Sequence, residues 1–178
     1  LPNGDNAGGQ VILGLRSGLD LYANVRPVKL YEGVLHKIHG KFKQVWDSKV
    51  VNMVLIRENT EGLYHALLRR SALAAAGSEK DDPIIIENFP GLEGELAWDA
   101  RPISRNGSHR VIKFAFDLAN RRGEKNGEMQ KVTCVDKSNV TKGCRLFRQI
   151  FREISSEYPE LDTHEAYIDA FTMWLIRS

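Results

Sequence analysis

The chain has 178 residues, 42% of them hydrophobic and 27% charged, which is ample for a packed core without disulfides. Twenty-five Lys and Arg against 23 Asp and Glu leave a formal charge of +2 with the signs interspersed, so the basic face of a nucleic-acid binder is missing. No apolar run approaches the roughly 20 residues of a membrane span, and no basic-then-apolar opening resembles a signal peptide. The composition reads as a soluble, cytoplasmic globular protein, and Cys134 and Cys144, without metal-finger spacing, suit core fillers in a reducing compartment.

Val11, Ile12, Leu15 and Leu19 recur at helical spacing after a Gly-rich opening, which predicts a helix over Val11 to Leu21. Pro27 stops it from continuing, and the alternation of Val25, Val28 and Leu30 with charged residues predicts an extended segment. The string VVNMVLI, Val50 to Ile56, reads as a strand buried on both faces. Residues 66–76 could be helical, and the Gly- and Pro-broken stretch beyond them reads as irregular strands or a hairpin arm, with Ile84 to Ile86 and Trp98 as a partner surface. Ser108 is positioned to cap a helix carrying Val111, Ile112, Ala115, Phe116 and Ala119, closed by Arg121, Arg122 and Gly123. KVTCV, Lys131 to Val135, is a second buried strand. A helix with Leu146, Phe147, Ile150, Phe151 and Ile154 inward follows it, and YPELDTHEAYIDAF reads as turn, strand and helix start. Strands alternating with amphipathic helices point to an α/β layered domain.

Several polar residues sit where strands end and helices begin, the usual ligand position in open α/β sheets. Arg16, Arg26 and Arg57 could together grip the carboxylates of a small polyacid through paired hydrogen bonds. Taken singly, each has a plain structural role: three solvated arginines, a half-buried phenol at Tyr64, a snorkelling lysine at Lys137, and helix caps at Asn139 and Asp169. His36 and His39 could touch a metal from a helix, or lie on an exposed loop.

The ordered strings LRSGLDLYANVRPVKLY, IRENTEGLY, CVDKSNV and YIDAF resemble the metal-dependent decarboxylating dehydrogenases that include the isocitrate, 3-isopropylmalate, homoisocitrate and tartrate enzymes. The resemblance runs from about Val11 to the last residue. It implies an isocitrate/isopropylmalate dehydrogenase-like α/β fold, a mixed sheet flanked by helices with a dimerisation arm and an incomplete large domain. Residues 1–49 would flank the large domain, and residues 50–178 would form the small α/β domain with the arm near 82–104. The family's further metal carboxylates, in an FGDILSD-like string, and its adenosine loop are expected after Ser178. The chain thus reads as the central part of a longer enzyme, inactive by itself.

By the same resemblance, Arg16, Arg26 and Arg57 hold the carboxylates of a 2-hydroxy acid with a 3-carboxylate. Lys137 assists removal of the hydroxyl proton, and Tyr64 protonates the enolate left after decarboxylation. Asp169 matches a ligand of Mg2+ or Mn2+, and Asn139 a residue near the ribose of NAD or NADP. Lysine is protonated in water, with an ordinary pKa of about 10.4, so service as a base calls for nearby cations or desolvation. A homodimer is implied, with the matched lysine and aspartate reaching the partner's arginines. Isocitrate enzymes tend to carry Ser and Asn where this sequence has Gln10 and Ile12. Ile12 and Val140 offer an apolar lining suited to an isopropyl group, which favours 3-isopropylmalate or a related alkylmalate, with isocitrate as the alternative. A different class, a non-catalytic regulatory or assembly subunit, would have no need to keep Arg16, Arg26, Arg57, Tyr64, Lys137 and Asp169 together.

Overall fold

A computed structural model describes residues 7–64, 101–126 and 129–177. The chain divides into two compact units that interleave in sequence, Leu1–Leu21 with Thr60–Pro102 and Tyr22–Asn59 with Ile103–Ser178. The expected helix at 66–76 and the arm near 82–104, with Ile84 to Ile86 and Trp98, lie almost wholly outside the described residues.

In the first unit, helix α1 (Ala7–Gly18) bears out the helical spacing of Val11, Ile12 and Leu15, although these side chains are exposed. The second unit starts with β1 (Ala23–Lys29), the extended segment around Pro27. It pairs antiparallel with β4 (Asn52–Glu58), Ala23 lying opposite Glu58 and Lys29 opposite Asn52. Between them, β2 (His36–Ile38) and β3 (Lys41–Lys43) form a hairpin whose two turn residues, His39 and Gly40, have φ of 49° and 77°. Two successive left-handed residues make the turn type that matches strand twist, and glycine takes the second position without steric cost.

The expectation that VVNMVLI is buried on both faces is corrected. Met53 and Leu55 are exposed, because among the described residues β4 has one strand neighbour and packs one face inward. Ala23 and Ile56 supply that inner face and rest against the core.

Helix α2 (Arg105–Asn126) starts earlier than its expected Ser108 cap and runs on through Gly123. The cap is Ser104, whose hydroxyl accepts the Gly107 amide at 3.0 Å, while Ser108 is buried within the helix. Near the other end, Asn120 reaches Glu124 across Gly123 at 3.4 Å, and Arg122 is anchored on the carbonyl and side chain of Asn52 at 3.1 and 2.9 Å. These contacts carry the helix past a residue that would otherwise end it.

Strand β5 (Lys131–Asp136), helix α3 (Lys142–Ser155) and strand β6 (Asp162–Tyr167) follow as a parallel pair joined by a helical crossover, and α4 (Ile168–Arg177) leaves the end of β6. The core lies between α2, β5 and α3. Val111, Ile112 and Phe116 meet Cys134, Ile150, Phe151 and Ile154, with Phe116 and Ile150 at 0% exposure. The Phe116 ring lies 5.3 Å from Phe151 and 5.1 Å from Tyr158. Tyr158 donates its hydroxyl proton to Asp117 and accepts from Lys113 Nζ at 2.8 Å, tying the chain beyond α3 to α2. Both cysteines are buried and neither forms a disulfide among the described residues, and burial pushes the Cys134 thiol up to about 12, as expected of an inert filler. Among the described residues, no helix is long and apolar enough to cross a membrane.

Candidate active site

The sequence candidates fall into local groups, each built by one feature of the fold. In the first unit, Arg16 in the last turn of α1 lies with its guanidinium 5.0 Å from the centroid of the Tyr64 ring, a cation–π distance. The backbone leading to Tyr64 turns at Gly62, whose φ of 70° is left-handed and whose amide donates to the Pro102 carbonyl at 2.9 Å.

In the second unit, the antiparallel register decides the place of Arg26 and Arg57. Asn24 pairs with Arg57 and Arg26 with Leu55, so Asn24, Arg26 and Arg57 project from the same face of the β1–β4 ladder. It is the face opposite the one that carries Ala23 and Ile56 onto the core. Arg26 Nε donates to Asn24 Oδ1 at 3.1 Å, and Arg57 Nη2 donates to Asn59 Oδ1 at 3.1 Å. Asn59 is itself buried, and its amide donates to the Tyr22 carbonyl at 2.9 Å. Arg110 of α2 lies over Tyr22, 4.7 Å from the ring centroid, and 3.9 Å from Glu58, so the helix is fastened to the end of the ladder that presents Arg57.

The third group forms at the carboxyl ends of β5 and β6. Their parallel register sets Asp136 beside Tyr167, so the residues that follow, Lys137 and then Asp169 in the first turn of α4, emerge side by side. Lys137 Nζ donates to both carboxylate oxygens of Asp169 at 2.9 Å, and both side chains keep substantial contact with solvent. Asn139 is exposed in the turn between β5 and α3, where the amides of Val140 and Thr141 both donate to the Lys137 carbonyl at 3.0 Å.

One residue that the sequence did not single out holds both strand ends. Arg148 of α3 donates to the two oxygens of Asp136 at 2.8 Å each and to the Ala166 carbonyl at 3.3 Å, and it lies 4.7 Å from the Tyr167 ring centroid. Asp136 also accepts the Ser138 amide at 2.8 Å, which fixes the turn that presents Lys137. The signal in the sequence was the acidic residue closing the KVTCV strand, which, once buried, calls for a cation on the crossover helix. Asn24 was readable too, because a strand puts it on the face of Arg26.

A cavity of about 670 Å³ lies within this unit between β4, α2, β5 and α4. Its lining is mostly apolar, with Ile56, Phe116, Val132, Phe147 and Phe171, and does not include Lys137 or Asp169. His36 lies on the β2–β3 hairpin and His39 at its turn, not on a helix, and among the described residues no three His, Cys, Asp or Glu side chains gather as a metal centre. Asp169 offers a single carboxylate, already engaged by Lys137, so the described residues do not fit a divalent cation, which takes six or more oxygen ligands.

An α/β unit with polar side chains at the carboxyl ends of parallel strands, beside an arginine-bearing ladder, has the layout of a small-molecule enzyme domain. The isocitrate/isopropylmalate dehydrogenase family profile matches residues 3–178, and the chain belongs to that family. It is 36% identical to the 3-isopropylmalate/3-methylmalate dehydrogenase of Methanocaldococcus jannaschii over 93% of its length, and 35% identical to the 3-isopropylmalate dehydrogenase of Archaeoglobus fulgidus over the same share. It spans 40% of each of those proteins. Its fold is similar to the crystal structure of isocitrate dehydrogenase from Methylococcus capsulatus, with a TM-score of 0.62 and 34% identity over 92% of this chain and 39% of that one. The beta-decarboxylating dehydrogenase of Thermococcus kodakarensis gives a TM-score of 0.58 at 29% identity, over 94% of this chain and 37% of that one. The expected isocitrate/isopropylmalate dehydrogenase-like α/β fold is borne out.

Proposed function

We propose that this chain is the central part of an NAD(P)-dependent enzyme that oxidatively decarboxylates a 2-hydroxy acid with a 3-carboxylate, 3-isopropylmalate or a related alkylmalate. The observation that carries the reading is the placement of Arg26 and Arg57 on one face of the β1–β4 ladder, with the Lys137–Asp169 pair formed at the strand ends. Two guanidinium forks on one face match a dicarboxylate, and a compact ammonium beside a carboxylate is suited to moving a proton. The similarity to 3-isopropylmalate dehydrogenases at 30–36% identity supports the substrate class.

In this reading Arg16, Arg26 and Arg57 bind and orient the substrate carboxylates. Lys137 takes the proton from the hydroxyl as the adjacent carbon is oxidised, so that the 2-oxo acid forms. Loss of carbon dioxide then leaves an enolate, and Tyr64 delivers a proton to its carbon. The Arg16 guanidinium lies beside the Tyr64 ring and keeps the two residues together. Asn139 would contact the nicotinamide ribose of the cofactor. NAD(P), when bound, would supply the two-electron oxidant, and Asp169 would contribute one carboxylate to a Mg2+ or Mn2+ site whose other ligands lie outside the described residues. The active protein is a homodimer in which Lys137 and Asp169 approach the partner's arginines.

The test is a steady-state assay of the full-length protein with 3-isopropylmalate and isocitrate. Lys137→Met keeps the methylene stem and should lower kcat by about 10²-fold to 10⁴-fold, with a smaller change in KM. Arg26→Lys should raise KM instead, because a point charge cannot reproduce the guanidinium fork. Near-normal turnover by Lys137→Met would overturn the mechanism, and a preference for isocitrate would overturn the choice of substrate.

A further inference from the structure

Two strand pairs border the cavity of the second unit, and neither pair joins the other. β4 is bonded to β1 and β5 to β6, and among the described residues no strand lies beside the second edge of β4 or of β5. Consecutive residues of both strands, Met53 to Ile56 and Lys131 to Val135, line the cavity. It therefore opens onto backbone edges and not onto one sheet face alone. Ala115 and Ala119 of α2 and Phe171 and Leu175 of α4 complete its wall.

The strand directions fit a single sheet. Arg122, near the end of α2, donates to the carbonyl of Asn52 at the start of β4 at 3.1 Å, and Arg110, near the start of α2, lies 3.9 Å from Glu58 at the end of β4. Helix and strand thus run in opposite directions. β5 begins at Lys131, just past the end of α2 at Asn126, and its Cys134 packs in the same core as Phe116, so it runs back along the helix, parallel to β4.

The edges also differ in chemistry. Proline and charged side chains blunt a strand edge and keep another strand from adding to it. β1 carries Arg26, Pro27 and Lys29, and β6 carries Asp162, His164 and Glu165. Met53 to Ile56 and Val132 to Val135 contain no proline and no charge. Such edges in an apolar cavity leave peptide N–H and C=O groups to be satisfied, which a small apolar ligand cannot do. A strand does so on both sides at once. β4 has seven residues and β5 six, against about five or six for an ordinary strand.

We propose that an extended, uncharged segment from the part of the whole protein outside these 178 residues inserts between β4 and β5 as a strand and joins the two pairs into one sheet. The chain spans 40% of each of two 3-isopropylmalate dehydrogenase relatives, so the larger part of such a protein is available to supply it. The inserted strand also sets the distance between Arg57, near the end of β4, and Lys137, just past the end of β5. That consequence for the site rests on the functional reading above, whereas the insertion rests on the edges and the cavity.

The test uses the full-length protein with a diazirine analogue of leucine at Leu118 on α2 or at Leu175 on α4, both of which line the cavity. On irradiation the two probes should join to one and the same stretch of about five or six residues outside the 178. Mixing light and heavy isotope-labelled protein shows whether that stretch belongs to the same polypeptide. Capture of Ile84 to Ile86, of a second copy, of two different stretches or of solvent alone would overturn the proposal.

Amide hydrogen exchange reads the pairing itself. In a central strand every amide from Val132 to Val135 is bonded, and each should be slowed about 10³-fold or more, the range of global opening. Free exchange at every second amide would make β5 an edge and overturn the insertion. Ala119→Phe supplies an independent sign, since its ring enters the cavity. Against an inserted strand the ring is overpacked and the thermal midpoint should fall by several degrees, whereas an unchanged or raised midpoint would mean open space and overturn the proposal. A protein that fails these tests yet shows the kinetics expected of Lys137→Met and Arg26→Lys loses the inserted strand and keeps the functional reading.

Discussion

Around β5, α3 and β6 the chain packs as a closed core, whereas along β1 and β4 it presents a thin ladder with one face inward and one face out. In the first region Phe116, Ile150 and Ile154 are fully buried, and ion pairs such as Arg148 with Asp136 sit at the edge of the core. In the second, Met53, Leu55 and Val28 keep contact with solvent, and the polar face carries Arg26 and Arg57. The difference is that of a scaffold and a presenting surface. Rigid strand ends hold a lysine and an aspartate where backbone geometry demands them, while the ladder needs an accessible face if its guanidiniums are to meet a ligand.

The comparison breaks if core and ladder respond alike to truncation. Phe116→Ala should cost about 3–5 kcal/mol, because it removes a ring that touches Phe151 and Tyr158 and leaves a cavity. Leu55→Ala, on the outer face of the ladder, should stay within about 0.5 kcal/mol. Urea unfolding of the two variants side by side checks this, and equal losses would show that the ladder is part of the same core.

Arg148→Met should cost a comparable amount by a different route. It strands the Asp136 carboxylate, whose side chain is only 2% exposed, and uncompensated buried charge typically costs about 3–5 kcal/mol. Adding Asp136→Asn should recover most of that loss. A double variant no more stable than Arg148→Met would mean that Arg148 acts by packing on Tyr167 and by its bond to the Ala166 carbonyl, not by satisfying the charge.

The same contrast explains which features were legible in the sequence. The strand–helix–strand run from Lys131 onward could be read directly, because the spacing of Ile150, Phe151 and Ile154 and the apolar KVTCV string each have one solution in a closed core. VVNMVLI misled because a continuous apolar string argues for neighbours on both faces, and the number of neighbours is a tertiary property. The start of α2 was misplaced because the sequence offers two serines, and only the backbone shows that Ser104 reaches the Gly107 amide. The site residues were legible as types and strings. Their partnerships were not, since the shared face of Arg26 and Arg57 follows from the β1–β4 register, and the Lys137–Asp169 contact from the β5–β6 register. Asn24, Asn59 and Arg148 carry no reaction chemistry of their own and acquire their roles only through those pairings.

The smallest expected effect sharpens the comparison through pH. Glu165 on β6 is held well below the ordinary carboxylate range, first by the hydrogen bonds from Arg152 and then by the charges of Arg152 and Arg148, against a raising influence from burial and Asp136. A carboxylate with a depressed folded-state pKa contributes stability that is fully present above its unfolded value, about 4.3, and is lost as pH falls through the folded value. Arg152→Gln removes the leading cause, so the variant should be less stable than wild type at neutral pH. The gap should then close as the pH drops below about 4 and both proteins carry a protonated Glu165. Arg148 remains 3.5 Å from Glu165, so part of the depression survives in the variant and the gap stays modest. Urea midpoints of the two proteins across that pH range give the answer. A gap that stayed constant with pH would show that the Arg152 side chain stabilises β6 by covering it and not by its charge, and the strand ends would then owe their rigidity to Arg148 and the core alone.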